Sequence, residues 1–160
     1  MSTVRDVSRS PVPQGKVVLD ASAAIAFALE TEASHRHAVR LIADLDAQCV
    51  RLIAPPLFES EADSTIRRLV YSKSLDIQAG ADAQVILNSL PMEIVYDAEV
   101  RPLARQIAER FNLVRVYDAT YAALAQRRNC DLWTADERFF NSVRAGLPFV
   151  RFLGTYSESV

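Results

Sequence analysis

Short apolar runs alternate with helix-periodic segments along the chain, and that alternation predicts βα units built on a parallel sheet. Val17–Leu19, Val50–Ala54, Glu93–Tyr96, Asp131–Thr134 and Phe149–Phe152 read as strands. Between them lie predicted helices over Ser22–Glu30, Ser34–Ala47, Leu57–Tyr71 and Ala98–Phe111, another starting at Asp118, and a short one over Glu137–Arg144. In Ala98–Phe111, Val100, Leu103, Ala104, Ile107, Ala108 and Phe111 recur at helical spacing, with Arg101, Arg105 and Glu109 turned away. Pro55-Pro56 stops one strand and is tolerated where the next helix starts. Leu75–Leu90 is helical in content but broken near Gly80, and Leu113–Val116 reads as an extended link into Asp118. No repeat or linker divides the pattern, so residues 16–160 are expected to form a single α/β domain behind a loose Ser/Pro-containing leader, residues 1–15.

The 160 residues suffice for one buried core. No apolar run approaches the roughly 20 residues that span a bilayer. Residues 1–15 lack the apolar stretch of a secretory signal. Cys49 and Cys130 match no metal or redox spacing and are expected to be buried free thiols, so the expected compartment is the reducing cytoplasm. A net charge of −2 argues against a broad non-specific nucleic-acid surface. It leaves room for a nucleic-acid enzyme, because 16 of the 18 basic residues are arginines, which bind phosphate bidentately.

Three acids occupy equivalent places. Asp20 ends Val17-Val18-Leu19 and opens a helix, Asp118 begins Asp118-Ala119-Thr120-Tyr121-Ala122-Ala123-Leu124-Ala125, and Asp136 follows Leu132-Trp133-Thr134. In open α/β sheets ligands sit outside the carboxyl ends of the strands. Carboxylates converging there would form a hard oxygen site of the kind that takes Mg²⁺ or Mn²⁺. Each Asp read alone is equally a helix cap. Ser22 and Thr134, two residues from Asp20 and Asp136, are placed to hydrogen-bond such ligands, although capping and strand propensity also explain them. His35 and His37, two apart on one helix, cannot share a face, and surface or capping roles are expected of them.

Together, Val17–Ala23, Ala54-Pro55-Pro56-Leu57 leading to Glu61, Tyr117–Ala125 and Leu132–Phe139 resemble the PIN domain, and more narrowly the VapC-type toxins of bacterial toxin–antitoxin pairs. The resemblance covers about Val17 to Phe152. It implies a PIN-like fold, a central parallel sheet of about five strands flanked by helices on both faces. Four acids, Asp20, Glu61, Asp118 and Asp136, are then expected around one or two Mg²⁺ or Mn²⁺ ions, with endoribonuclease activity on RNA. Ser64 departs from the pattern, since relatives commonly carry Asn there. Glu61 is favoured over its neighbours Glu59 and Asp63 by its distance from Pro55, though on a helical wheel Glu59 flanks the buried stripe equally.

The expected chemistry is in-line attack of an activated water on phosphorus, with Asp20 and Asp118 as direct ligands and Glu61 and Asp136 acting through water or on the nucleophile. Arg138 and Tyr117 are candidate substrate contacts, while Tyr121 in its Ala-rich helix is expected to be core. The resemblance also implies a homodimer and a cognate antitoxin, and the apolar surplus in Leu57–Leu90 is the expected place for both. Two alternatives stand beside this reading: a PIN-like binding module without chemistry, and a metal-dependent phosphohydrolase on another doubly wound fold. A haloacid-dehalogenase-like enzyme would carry Asp-x-Asp after the first strand, and here the residues are Asp20-Ala21-Ser22.

Overall fold

A computed structural model describes Gly15–Ser157; the expected leader lies outside the described residues except for Gly15. The described elements, in chain order, are β1 (Gly15–Leu19), α1 (Ala21–Ala28), α2 (His35–Ala47), β2 (Val50–Ala54), α3 (Leu57–Tyr71), α4 (Ile77–Ser89) and β3 (Met92–Ile94). They continue with α5 (Val100–Arg110), α6 (Tyr117–Arg128), β4 (Leu132–Thr134), α7 (Glu137–Val143) and β5 (Val150–Phe152), followed by a 3-10 turn at Leu153–Thr155. The five strands form one sheet in the order β3-β2-β1-β4-β5, and every neighbouring pair is parallel.

Parallel neighbours need crossover helices, and right-handed crossovers assign those helices to faces. The chain steps from β1 to β2 to β3 in one direction, which puts α1 to α4 on one face. It then returns past β1 to β4 and β5, which puts α5, α6 and α7 on the other. The packing agrees: α1 contacts α2, α3 and α4, whereas α5 packs on α6 and α6 lies against β1 and β4. The α5 stripe is as its period dictates, with Val100, Ala104, Ile107 and Ala108 buried and Leu103 and Phe111 packed against them.

Four local readings change. α4 runs through Gly80 without a break. A Cβ at Gly80 would stand 2.6 Å from Val70 Cγ2, so the glycine lets α4 lie close on α3. β3 is shorter and earlier than the apolar run suggests, and its last ladder bond runs from Val95 N–H to Ala54 O at 2.8 Å. Leu113–Val116 is a series of bends. Asn112 takes a left-handed φ of 51° and Leu113 N–H returns to Ala108 O at 2.8 Å, a Schellman-type end to α5 that turns the chain sharply. Cys49 and Cys130 are free thiols but only partly buried, since each sits at a strand entrance.

Gly80→Ala is expected to destabilise the fold. A helical alanine gains about 1 kcal/mol over glycine, while overpacking against a β-branched side chain costs about 1–3 kcal/mol. A lower urea midpoint with an unchanged m-value is the expected reading; a raised midpoint would show that α3 and α4 separate freely.

Candidate active site

The strand order reverses once, between β1 and β4, and a doubly wound sheet opens its crevice at the carboxyl ends of the strands on either side of such a reversal. Asp20 directly follows β1, and Asp136 lies two residues beyond β4. The two ends are stitched together by Asp20 N–H to Trp133 O at 3.2 Å.

Asp20 is 3% exposed. It is the N-cap of α1, with Oδ1 accepting from Ala23 N–H at 2.9 Å and from Ser22 Oγ at 2.7 Å. Ser22 Oγ also accepts from Ala135 N–H at 2.9 Å and lies 3.3 Å from Thr134 Oγ1, which in turn accepts from Asp136 N–H at 3.0 Å. The two hydroxyls therefore join the β1 and β4 loops into one network. Asp136 caps α7 through Phe139 N–H at 2.9 Å.

Asp118 does not cap its helix. It is the second residue of α6, whose N-cap is Val116 with no side-chain cap bond, so its carboxylate contributes at the helix start only as a first-turn acid facing the helix dipole. Glu61, on α3, is half-buried and accepts a 2.6 Å hydrogen bond from Tyr121 Oη on α6. Its neighbours Glu59 and Asp63 are exposed, and Asp63 accepts from Gln84 at 3.0 Å. Of the three α3 acids, only Glu61 acts electrostatically on Asp118.

Mutual repulsion registers in the titration of the acids. Burial pushes Asp20 up to about 7 against the hydrogen bonds from Thr134, Ser22 and Ala23, and the Asp118 charge adds to the rise. Asp118 is pushed up to about 6 by burial first, then by Asp136 and Glu61, with Arg115 opposing. Asp118 thus feels Asp136 and Glu61, and its own charge acts on Asp20. Tyr121 is held far above its ordinary value by burial and by Glu61, so it stays a donor at neutral pH.

Among the described residues no three of these side chains stand together as a ready-made metal cage. Like charges avoid one another, and here Asp20 and Asp136 turn oxygens to helix amides while Glu61 turns one to Tyr121. The donor chemistry still fits a hard divalent cation: carboxylate oxygens only, at one sheet edge, two of them with proton affinity raised by burial and by neighbouring acids.

The candidate substrate residues are exposed. Tyr117 opens α6 beside Asp118, and Arg138 lies on α7 two residues past Asp136. Arg115 was not foreseen. Its charge reaches Asp118 from the bend before α6, and the signal available in the sequence was its position three residues upstream. The histidines play no part: His35 Nδ1 meets Ala26 O at 2.9 Å and His37 Nδ1 meets Tyr156 O at 2.8 Å.

Comparison with known proteins identifies the family. A PIN domain family profile matches residues 17–145. The chain belongs to the PIN domain family. Within the family it is 36% identical over 132 residues to the VapC ribonuclease Mb0985 of Mycobacterium bovis, covering 82% of this chain and 94% of the relative. Ribonuclease VapC9 of Mycobacterium tuberculosis matches with the same identity and coverage. The fold is shared with the crystal structure of PAE2754 from Pyrobaculum aerophilum, at a TM-score of 0.57 and 20% identity over 79% of this chain and 85% of that one.

In this PIN domain the raised acids give a stability change of definite sign. An unfolded aspartate titrates near 3.8, whereas Asp20 and Asp118 keep their protons to about 7 and 6. Their contribution is complete below about pH 4 and is lost as pH rises and the unfolded chain ionises first. Asp118→Asn is therefore expected to be more stable than the parent at pH 7.5 and equal to it at pH 4 in urea titrations. Carboxyl carbon-13 titration should place Asp20 near 7 in the parent and lower in the variant. An Asp20 titration unmoved by the substitution would show that the two acids are not coupled.

Proposed function

We propose that the chain is a divalent-metal-dependent endoribonuclease of the VapC type and acts as the toxin of a toxin–antitoxin pair in the cytoplasm. The observation that carries this reading is the coupling of Asp20, Glu61 and Asp136 through Asp118 at the one reversal of the sheet. Support comes from the ribonuclease relatives that align along most of their length.

Asp20 and Asp118 would hold Mg²⁺ or Mn²⁺ directly, and Glu61 and Asp136 would act through water. A divalent cation bound there supplies Lewis acidity, acidifying water and neutralising charge that grows on the phosphate. The chain supplies the rest. Ser22 and Thr134 keep the β1 and β4 loops in register, so that Asp20 and Asp136 face one crevice. Glu61 Oε2 is occupied by Tyr121, while Oε1 has no hydrogen-bond partner among the described residues and is the acceptor for a proton from the attacking water. Arg115, exposed and close enough to bias Asp118, attracts the RNA phosphate, with Arg138 on the α7 side. The products expected are a 5′-phosphate and a 3′-hydroxyl.

The apolar surplus of α3 and α4 divides between core and surface. Leu87 is buried and Leu69, Val70 and Leu75 pack against the core, whereas Tyr71, Ile77, Val85 and Ile86 are exposed. That exposed set is the surface proposed to take an antitoxin helix or a second copy of the chain. Among the described residues no helix is long and apolar enough to cross a membrane.

Asp118→Asn is expected to reduce cleavage of a structured RNA to background while leaving the circular dichroism spectrum intact, and chelation of divalent ions should do the same to the parent. Cleavage by purified Asp118→Asn at the parent rate would overturn the assignment. Arg115→Ala is expected to raise KM for RNA several-fold with little change in kcat, measured with saturating Mg²⁺.

A further inference from the structure

We infer that Tyr121 is a positioning residue, whose hydroxyl fixes the Glu61 carboxylate at the acidic edge; this goes a step beyond the proposed metal site and rests on it. The ring is 1% exposed, packed in the Ala-rich middle of α6. Phenylalanine would fill that space equally well, so packing does not account for the oxygen. Its partner is not a nearby carbonyl but a carboxylate 60 residues away on α3, bonded at 2.6 Å. The bond joins helices from opposite faces of the sheet, across its carboxyl edge.

Two further placements tie the hydroxyl to the site. Tyr121 lies three residues after Asp118, on the same side of α6, so one rigid helix carries both an acid and the donor that holds another acid. The backbone amide of Ala21, next to Asp20, lies close enough to act on the same phenol. The hydroxyl thus sits near the start of α1 and donates to α3. A glutamate has three rotatable side-chain bonds, and the like charge of Asp118 lies close enough to interact with Glu61. Holding Oε2 selects one orientation and leaves Oε1 available. Outer hydrogen bonds of this kind around a metal site are worth about 10–100-fold in metal affinity or activity.

The test is Mn²⁺ binding by the full chain without RNA, followed by electron paramagnetic resonance, in the parent, Tyr121→Phe, Glu61→Ala and the double variant. Tyr121→Phe should bind Mn²⁺ about tenfold more weakly than the parent. Adding Tyr121→Phe to Glu61→Ala should change affinity less than about twofold, because the hydroxyl acts through Glu61. RNA cleavage by Tyr121→Phe should lose kcat more than it gains KM. A second readout needs no variant: the Tyr121 hydroxyl proton signal should shift when Mg²⁺ saturates the parent. Equal Mn²⁺ affinity in Tyr121→Phe, an undiminished loss in the Glu61→Ala background, or a hydroxyl signal unmoved by Mg²⁺ overturns this inference alone. Absence of Mn²⁺ binding by the parent overturns it together with the metal site.

Discussion

Burying a carboxylate at the end of the central strand is the constraint around which this molecule is organised. An ionised Asp20 in the interior would be costly without compensation. The helix amide at Ala23 and the hydroxyl of Ser22 supply part of it, yet the balance still favours the proton to about pH 7. The residues that offset the cost are also those that lock β1 to β4. Ser22 takes the amide of Ala135, and Thr134 takes that of Asp136. Solvation of one acid and placement of a second are therefore one network, and a change to either hydroxyl disturbs both.

Glu61 and Asp118 enter from separate layers and are brought together by topology. Because the strand order turns back past β1, α6 lies against β1 and β4 while α3 approaches from the other face. Tyr121 crosses between them. Repulsion among these acids adds to burial in raising the proton affinity of Asp20 and Asp118.

Much of this was legible in the sequence where short-range chemistry decides the outcome. Pro55-Pro56 fixed both ends of the junction before α3, and the helix runs over Leu57–Tyr71 as its pattern indicates. The α5 stripe and the caps at Asp20 and Asp136 follow from local spacing. What escaped was tertiary. Gly80 resembles a helix breaker until α3 is set beside it, and the link before α6 looks extended until Asn112 turns left-handed. Asp118 resembled a cap, but Val116 occupies that position. The burial of the Tyr121 ring could be read from its neighbours, whereas the destination of its hydroxyl lies 60 residues away and leaves no local trace. Arg115 was hidden for a similar reason, since the reach of its charge to Asp118 depends on the path of the chain before α6.

The margins of the sheet have a bearing on how such a chain behaves when crowded. Both outermost strands, β3 and β5, are only three residues long, while the two five-residue strands β1 and β2 lie inside. A brief rim offers few unpaired amides and carbonyls for another copy to add on. Runaway growth by strand annexation is thereby discouraged.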